Sequence, residues 1–210
     1  MEKRKKCPYC GSTDTAYYLY GEPNFDEKLQ KMLDKRECIL GGCCVHTECV
    51  NGKTVFIDPP WRCNKCRKDF GSEPVLFNKK SQKDEFYADI VTSLKFSLNT
   101  FGAGSTCITI TKTNKGADIV FECIYSQYSG HQEHISLAEW KKILNTLYEK
   151  LYLHEWKRSY FEPVLDGESW SLEVKLTDRR RRFYHGCNAY PPYWEEVKEL
   201  FLGLINTNLN

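Results

Sequence analysis

The chain has 210 residues, 41% of them hydrophobic and 28% charged, with a formal net charge of +2. That composition excludes a disordered chain, and so small a surplus of charge argues against a protein that coats nucleic acid over its whole surface. No run approaches 18 apolar residues, which excludes a helical membrane span.

The first residues, Met1-Glu2-Lys3-Arg4-Lys5-Lys6, lead without an apolar stretch into Cys7-Pro8-Tyr9-Cys10-Gly11. The absence of a secretory pattern predicts a cytoplasmic protein whose 11 cysteines stay reduced. A second Cys-x-x-Cys pair follows at Cys63-Asn64-Lys65-Cys66. Zinc takes four soft ligands at tetrahedral angles, so two tight turns that each present two thiolates can complete its shell. Pro8 and Gly11 suit the first bend, Asn64 and Lys65 the second, and Phe70 has the place of an aromatic packed beneath the second turn.

Between the pairs, Thr15-Ala16-Tyr17-Tyr18-Leu19-Tyr20 has strand composition and ends at Gly21-Glu22-Pro23. Asn24 with Glu27 reads as a capping box. It opens an amphipathic helix to about Arg36, with Phe25, Leu29, Met32 and Leu33 as its stripe. Two short strands, around Val45 and over residues 55–57, flank the hairpin turn Asn51-Gly52, and Asp58-Pro59-Pro60 delivers Trp61 and Cys63.

Cys7, Cys10, Cys63 and Cys66, with Pro8, Gly11, Trp61 and Phe70 around them, resemble the zinc ribbon, a three-stranded β unit with two metal-binding knuckles. The resemblance implies one structural zinc ion and covers about the first third of the chain. The 52 residues between Cys10 and Cys63 form a far longer connection than ribbons commonly carry. As a whole the chain is similar to small cytosolic bacterial proteins that join a zinc ribbon to another domain.

A polar stretch from Gly71 to Lys83 places a domain boundary near residue 80. Beyond it, period-two alternation runs through Ile90, Thr92, Leu94, Phe96 and Leu98, then Ile108 and Ile110, then Ile119, Phe121, Cys123 and Tyr125, and later Trp170, Leu172, Val174 and Leu176. These are strands with one buried face. The capping box Ser136-Leu137-Ala138-Glu139 opens a helix striped by Leu137, Trp140, Ile143, Leu144, Leu147, Tyr148 and Leu151. Pro191-Pro192 open another, striped by Trp194, Val197, Leu200, Phe201, Leu204 and Ile205. The expected class is α+β: a zinc ribbon with a folded helix-and-hairpin insertion over 1–80, then a two-layer sandwich of antiparallel sheet and two helices over 84–210, ordered β-β-β-α-β-β-α. The order suggests a diverged repeat of a hairpin followed by a helix.

Functional candidates follow from residue chemistry. Four thiolates close a zinc shell, whereas a catalytic ion keeps a position open, so the metal is expected to be structural. Residues 1–80 carry 15 Lys and Arg against 11 Asp and Glu, and the remainder 15 against 17. Any anion-binding face therefore belongs to the cysteine-bearing part. Lys3, Arg4, Lys5, Lys6, Arg62, Lys65, Arg67 and Lys68, near Tyr9, Trp61 and Phe70, could meet phosphates and bases; Arg180 and Arg182 in the run Arg179-Arg180-Arg181-Arg182 are further candidates. The segment with Cys38, Cys43, Cys44, His46 and Cys49 has enough ligands for a second metal, yet adjacent Cys43 and Cys44 diverge if extended, and packing of Cys38 and Cys43 beside Gly41-Gly42 is the simpler reading. The favoured function is non-catalytic recognition of a protein or nucleic acid. The alternative is an enzyme in the second part using His131, His134 or His185.

Overall fold

In a computed structural model the chain is mixed α+β, mostly sheet, and the structure describes residues 4–124, 130–164 and 166–206. Lys3, Tyr125 and most of the loop before Gly130 lie outside them. The cysteine-bearing part is built on β1 (Thr15–Tyr20), β2 (Cys38–Gly42), β5 (Trp61–Cys63) and β6 (Asp69–Phe70), in the order β2-β1-β5-β6. β1 pairs antiparallel with β5, setting Thr15 opposite Cys63 and Tyr17 opposite Trp61. It pairs parallel with β2, an arrangement that requires a crossover, and α1 (Glu27–Asp34) supplies it. The sheet thus has four strands where the ribbon resemblance implies three, the added strand coming from the insertion.

The α1 cap differs from the expected one. Asp26, not Asn24, is the N-cap: its carboxylate accepts from the Leu29 amide at 2.8 Å. The two-residue shift turns Phe25 outward, leaving Leu29 as the buried residue of the helix. The hairpin also differs at one end, running through β3 (Thr47–Val50) and β4 (Lys53–Phe56). Its turn is Asn51-Gly52, both at positive φ, but Val45 lies before the first strand.

A second hairpin, β7 (Val75–Asn78) with β8 (Lys83–Phe86), occupies the polar stretch, and the short α2 (Tyr87–Ile90) follows it. The large sheet comprises β9 (Val91–Thr100), β10 (Gly104–Lys112), β11 (Gly116–Ile124), β12 (Gln132–Ser136), β13 (Ser159–Phe161), β14 (Glu168–Leu176) and β15 (Arg181–Cys187). Its order is β12-β11-β10-β9-β14-β15-β13, antiparallel except where β13 runs parallel to β15. β12 and β13 add one strand at each edge to the expected order. The central pair, β9 with β14, joins the two hairpin-plus-helix halves.

One sheet face is apolar because alternation puts Leu94, Phe96, Ile108, Ile110, Ile119, Leu172 and Val174 on the same side. Both helices cover it. α3 (Leu137–Asn145) begins with the expected capping box at Ser136 and Glu139 and continues as a π-helical turn, Thr146–Lys150. α4 (Trp194–Asn206) lays Phe201 flat on Phe96, ring centroids 4.6 Å apart, and Trp194 against Trp170 at 4.7 Å. The same apolar cluster continues into Cys7, Trp61, Cys63 and Phe70, so the cysteine-bearing sheet shares the main core.

Candidate metal centre

Each cysteine pair sits on a chain reversal fixed by its own backbone. In the first, the Gly11 amide donates to the Cys7 carbonyl and the Cys7 amide to the Ser12 carbonyl, both at 2.9 Å. In the second, the Arg67 amide donates to the Cys63 carbonyl and the Cys63 amide to the Lys68 carbonyl, again at 2.9 Å. Gly11 and Arg67, which follow the last cysteine of each pair, have φ of +73° and +63°. The two turns therefore share one geometry, although only the first uses the residue that adopts positive φ without steric cost.

Inside each turn an amide points at sulfur: Tyr9 N lies 3.4 Å from Cys7 Sγ and Cys66 N 3.4 Å from Cys63 Sγ. The β1–β5 ladder then brings the turns together. Cys7 Sγ is 3.7 Å from Cys66 Sγ, Cys10 Sγ is 3.6 Å from Cys63 Sγ, and all four sulfurs lie within 4.8 Å of one another. A tetrahedral zinc–thiolate shell with bonds of about 2.3 Å has sulfur–sulfur edges of about 3.8 Å. These residues fit a metal ion.

Without a cation, the sulfurs do not ionise alike. Burial pushes the Cys7 thiol far up, against the pull of the Tyr9 and Cys10 amides, and it raises Cys10 as well. Cys63 moves down despite its burial, chiefly because the Cys66 amide donates to it. A divalent ion is the charge that lets all four ionise together. Among the described residues, no second set of three or more His, Cys, Asp or Glu side chains is gathered in this way. Cys38 is buried, whereas Cys43, Cys44 and Cys49 are exposed, so Cys43 does not pack as expected. His46 is engaged by Asp58, 3.1 Å from Nδ1.

The centre is tied to the helices of the large sheet through its own turns. The Tyr193 hydroxyl donates to the Lys6 carbonyl, Lys6 Nζ lies 2.7 Å from Glu196, and Gly11 faces Pro192. On the other side Phe70 meets Tyr152 edge-on, and the Gly71 amide donates to Glu155 Oε1 at 2.7 Å. Glu155 is a buried carboxylate whose pKa burial raises, with the Gly71 amide and the Tyr9 side chain opposing. Sequence reasoning missed Glu155 and its neighbour His154. The only local signal is a charged pair set among Tyr152, Leu153 and Trp156.

The basic candidates separate. Lys65, Arg67 and Lys68 are exposed on the second turn, Lys68 lying 4.5 Å over the Tyr9 ring. Arg62 is held between Asp69 and the Tyr18 hydroxyl, Arg180 between Asp178 and the Phe77 carbonyl, and Arg182 packs over Tyr87. Compared with known proteins, the chain matches no family model, no curated protein and no solved structure.

The histidines do not converge. His134 Nδ1 pairs with Asp118 at 2.6 Å on β12, His131 lies beside Phe121, and His185 is on β15, with four strands between β12 and β15. At about 4.8 Å per strand, that separates His134 from His185 by more than 20 Å. No helix among the described residues is long and apolar enough to cross a membrane.

Proposed function

We propose that Cys7, Cys10, Cys63 and Cys66 hold one structural zinc ion in a zinc-ribbon-like unit, and that the unit is a rigid, non-catalytic recognition surface. The observation that carries this reading is the convergence of four sulfurs, with no histidine or carboxylate among them, all within 4.8 Å and two of their separations, 3.7 and 3.6 Å, close to the edge of a zinc–thiolate tetrahedron. A shell of four thiolates leaves no position for a reacting water, so the ion's work is to fix the two turns and what they display. They display Lys65, Arg67 and Lys68, three exposed cations on one turn.

The partner this turn suits is a polyanion, nucleic acid before protein. Metal analysis of the purified chain should find one zinc per chain. Binding to single-stranded nucleic acid should weaken with rising salt, with a log–log slope of about −2 if all three cations meet phosphates, and Lys65→Ala with Arg67→Ala should flatten that slope. A salt-insensitive affinity rejects the nucleic-acid reading and leaves recognition of a protein. A chain that carries no zinc rejects the proposal itself.

A further inference from the structure

Cys43 and Cys44 lie where β2 has ended and β3 has not begun. Gly42, at φ +92°, turns the chain out of the ladder, and its carbonyl accepts from the Gly21 amide at 2.8 Å, which anchors that end. Four residues on, Asp58 accepts from the His46 amide at 2.8 Å and anchors the other. Residues 43–46 bridge these points without strand pairing, so neighbouring side chains need not alternate. The two thiols in fact face each other: Cys43 Sγ is 3.6 Å from Cys44 Sγ, and both residues are exposed.

We propose that Cys43 and Cys44 are a reversible vicinal dithiol that exchanges with low-molecular-weight disulfides such as glutathione disulfide. One thiolate attacks a sulfur of the small disulfide, forming a mixed disulfide and expelling the first small thiolate. The neighbouring thiolate then attacks the protein sulfur of that bond, closing the Cys43–Cys44 disulfide and expelling the second. The pair loses two electrons and two protons, and the small disulfide is reduced to two thiols. Closure needs the sulfurs to move from 3.6 Å to about 2.05 Å, a shift the unpaired segment can absorb. Adjacent Cα atoms are only about 3.8 Å apart, short of the usual span of a disulfide, so the ring is strained and readily reopened by a dithiol.

Within the cysteine-bearing part, the other thiols are poorer candidates for separate reasons. Cys38 is buried and burial raises its thiol, Cys49 lies within the β3 ladder opposite Thr54, and the four clustered sulfurs face one another. Among the described residues no third ligand joins Cys43 and Cys44, so the pair is suited to two-thiol chemistry rather than to a metal shell.

The test treats the full-length chain, purified without chelator, with glutathione disulfide, blocks the remaining thiols, and maps the products by fragmentation mass spectrometry. The tryptic peptide from Glu37 to Lys53 contains Cys38, Cys43, Cys44 and Cys49, so fragmentation must place the bond within it. The expected product is a Cys43–Cys44 disulfide with two free thiols lost per chain, no retained glutathione, no metal released to a chromophoric chelator, and full recovery with a dithiol. Cys43→Ser and Cys44→Ser should each stop at one stable mixed disulfide, and the double variant should not react in this segment. A stable mixed disulfide on the unaltered chain, a bond to Cys38 or Cys49, or oxidation that releases metal overturns the proposal, and none of these readouts depends on the variants folding.

Discussion

His154 gives the sharpest test of how the two parts are joined. Its ring lies in the Leu153–Glu155 turn, with centroids 6.1 Å from Tyr87 and 6.2 Å from Tyr148, and its side chain is 12% exposed. Neither ring nitrogen makes a hydrogen bond of normal geometry among the described residues. The nearest carboxylate oxygen, Glu155 Oε1, is 3.6 Å from Nε2. Burial therefore dominates and lowers its pKa from 6.5 to about 4, with the Ser72 backbone working weakly the other way. A histidine held neutral contributes stability that is fully present above its ordinary pKa and is lost as pH falls through the folded value. Taking the folded value of about 4, acidification from about pH 7.5 to about pH 4 should remove about 3 kcal/mol through this group. His154→Phe keeps a ring between the two tyrosines and deletes the proton site together with two unpaired buried nitrogens. Urea unfolding of both proteins across that pH range isolates the effect, because groups remote from this ring contribute equally to both and cancel in the difference. The variant should match or exceed the parent at neutral pH and gain about 3 kcal/mol on it by pH 4. A difference that does not vary with pH, or a variant more than about 1 kcal/mol weaker at neutral pH, refutes the argument.

Stripping the metal with a strong chelator at neutral pH should lower the melting temperature of the whole chain in a single transition, since Cys7 and Cys63 belong to the same cluster as the large sheet; calorimetry that shows the sheet melting unchanged would contradict this. Arg67→Gly should raise stability by up to about 1 kcal/mol with metal content unaltered, because the residue sits at φ +63°. Gly11→Ala, at φ +73°, should cost about 1 kcal/mol, and thermal melts of the two variants should move in opposite directions. Arg180→Ala should destabilise by about 1–2 kcal/mol, because it takes the guanidinium from the Phe77 carbonyl and leaves Asp178 only the backbone amides of Lys79 and Arg180, whereas Arg179→Ala should be near neutral in the same denaturation assay.

The parts of the fold that could be read from the sequence are those where one physical rule acts alone. The long strands of the large sheet alternate because one face is buried and the other wet, and α3 carries a complete capping box that nothing nearby opposes. The sulfur cluster is legible because metal chemistry fixes both residue type and spacing. Readings fail where two rules compete. Asn24 and Asp26 are both good caps, and the choice falls to the one whose carboxylate reaches the Leu29 amide. Cys38–Gly42 looks like a connection, since a parallel partner strand shows no hairpin turn and two of its five residues are glycines. β12 is polar because an edge strand buries little, here only Ile135. The joint at His154 and Glu155 is faint locally: its character comes mainly from Tyr9, Gly71 and Tyr87, residues distant in sequence.

The long insertion between the cysteine pairs changes what the metal has to do. Closing a loop of 52 residues costs about 3.5 kcal/mol in chain entropy before any constant term, a cost that an ion joining the four sulfurs would meet alone if the loop were slack. Here the burden is shared. β1 leaves the first turn and pairs with β5 as it enters the second, so Thr15 faces Cys63 before any ion is considered. The Asn64 amide donates to the Asp14 carbonyl at 2.9 Å, and the Asn64 side chain reaches Asp14 and the Arg36 carbonyl, which ties both turns to the chain just beyond α1. The insertion thus acts as a folded brace whose ends already meet, and the ion has less closure entropy to overcome. Variants that break the brace without touching sulfur should therefore weaken metal affinity. Asn64→Ala is the clearest case: it leaves all four cysteines in place, and competition against a chromophoric chelator should show faster and more complete metal loss than in the parent chain. Equal affinities would mean that the four sulfurs alone set the geometry.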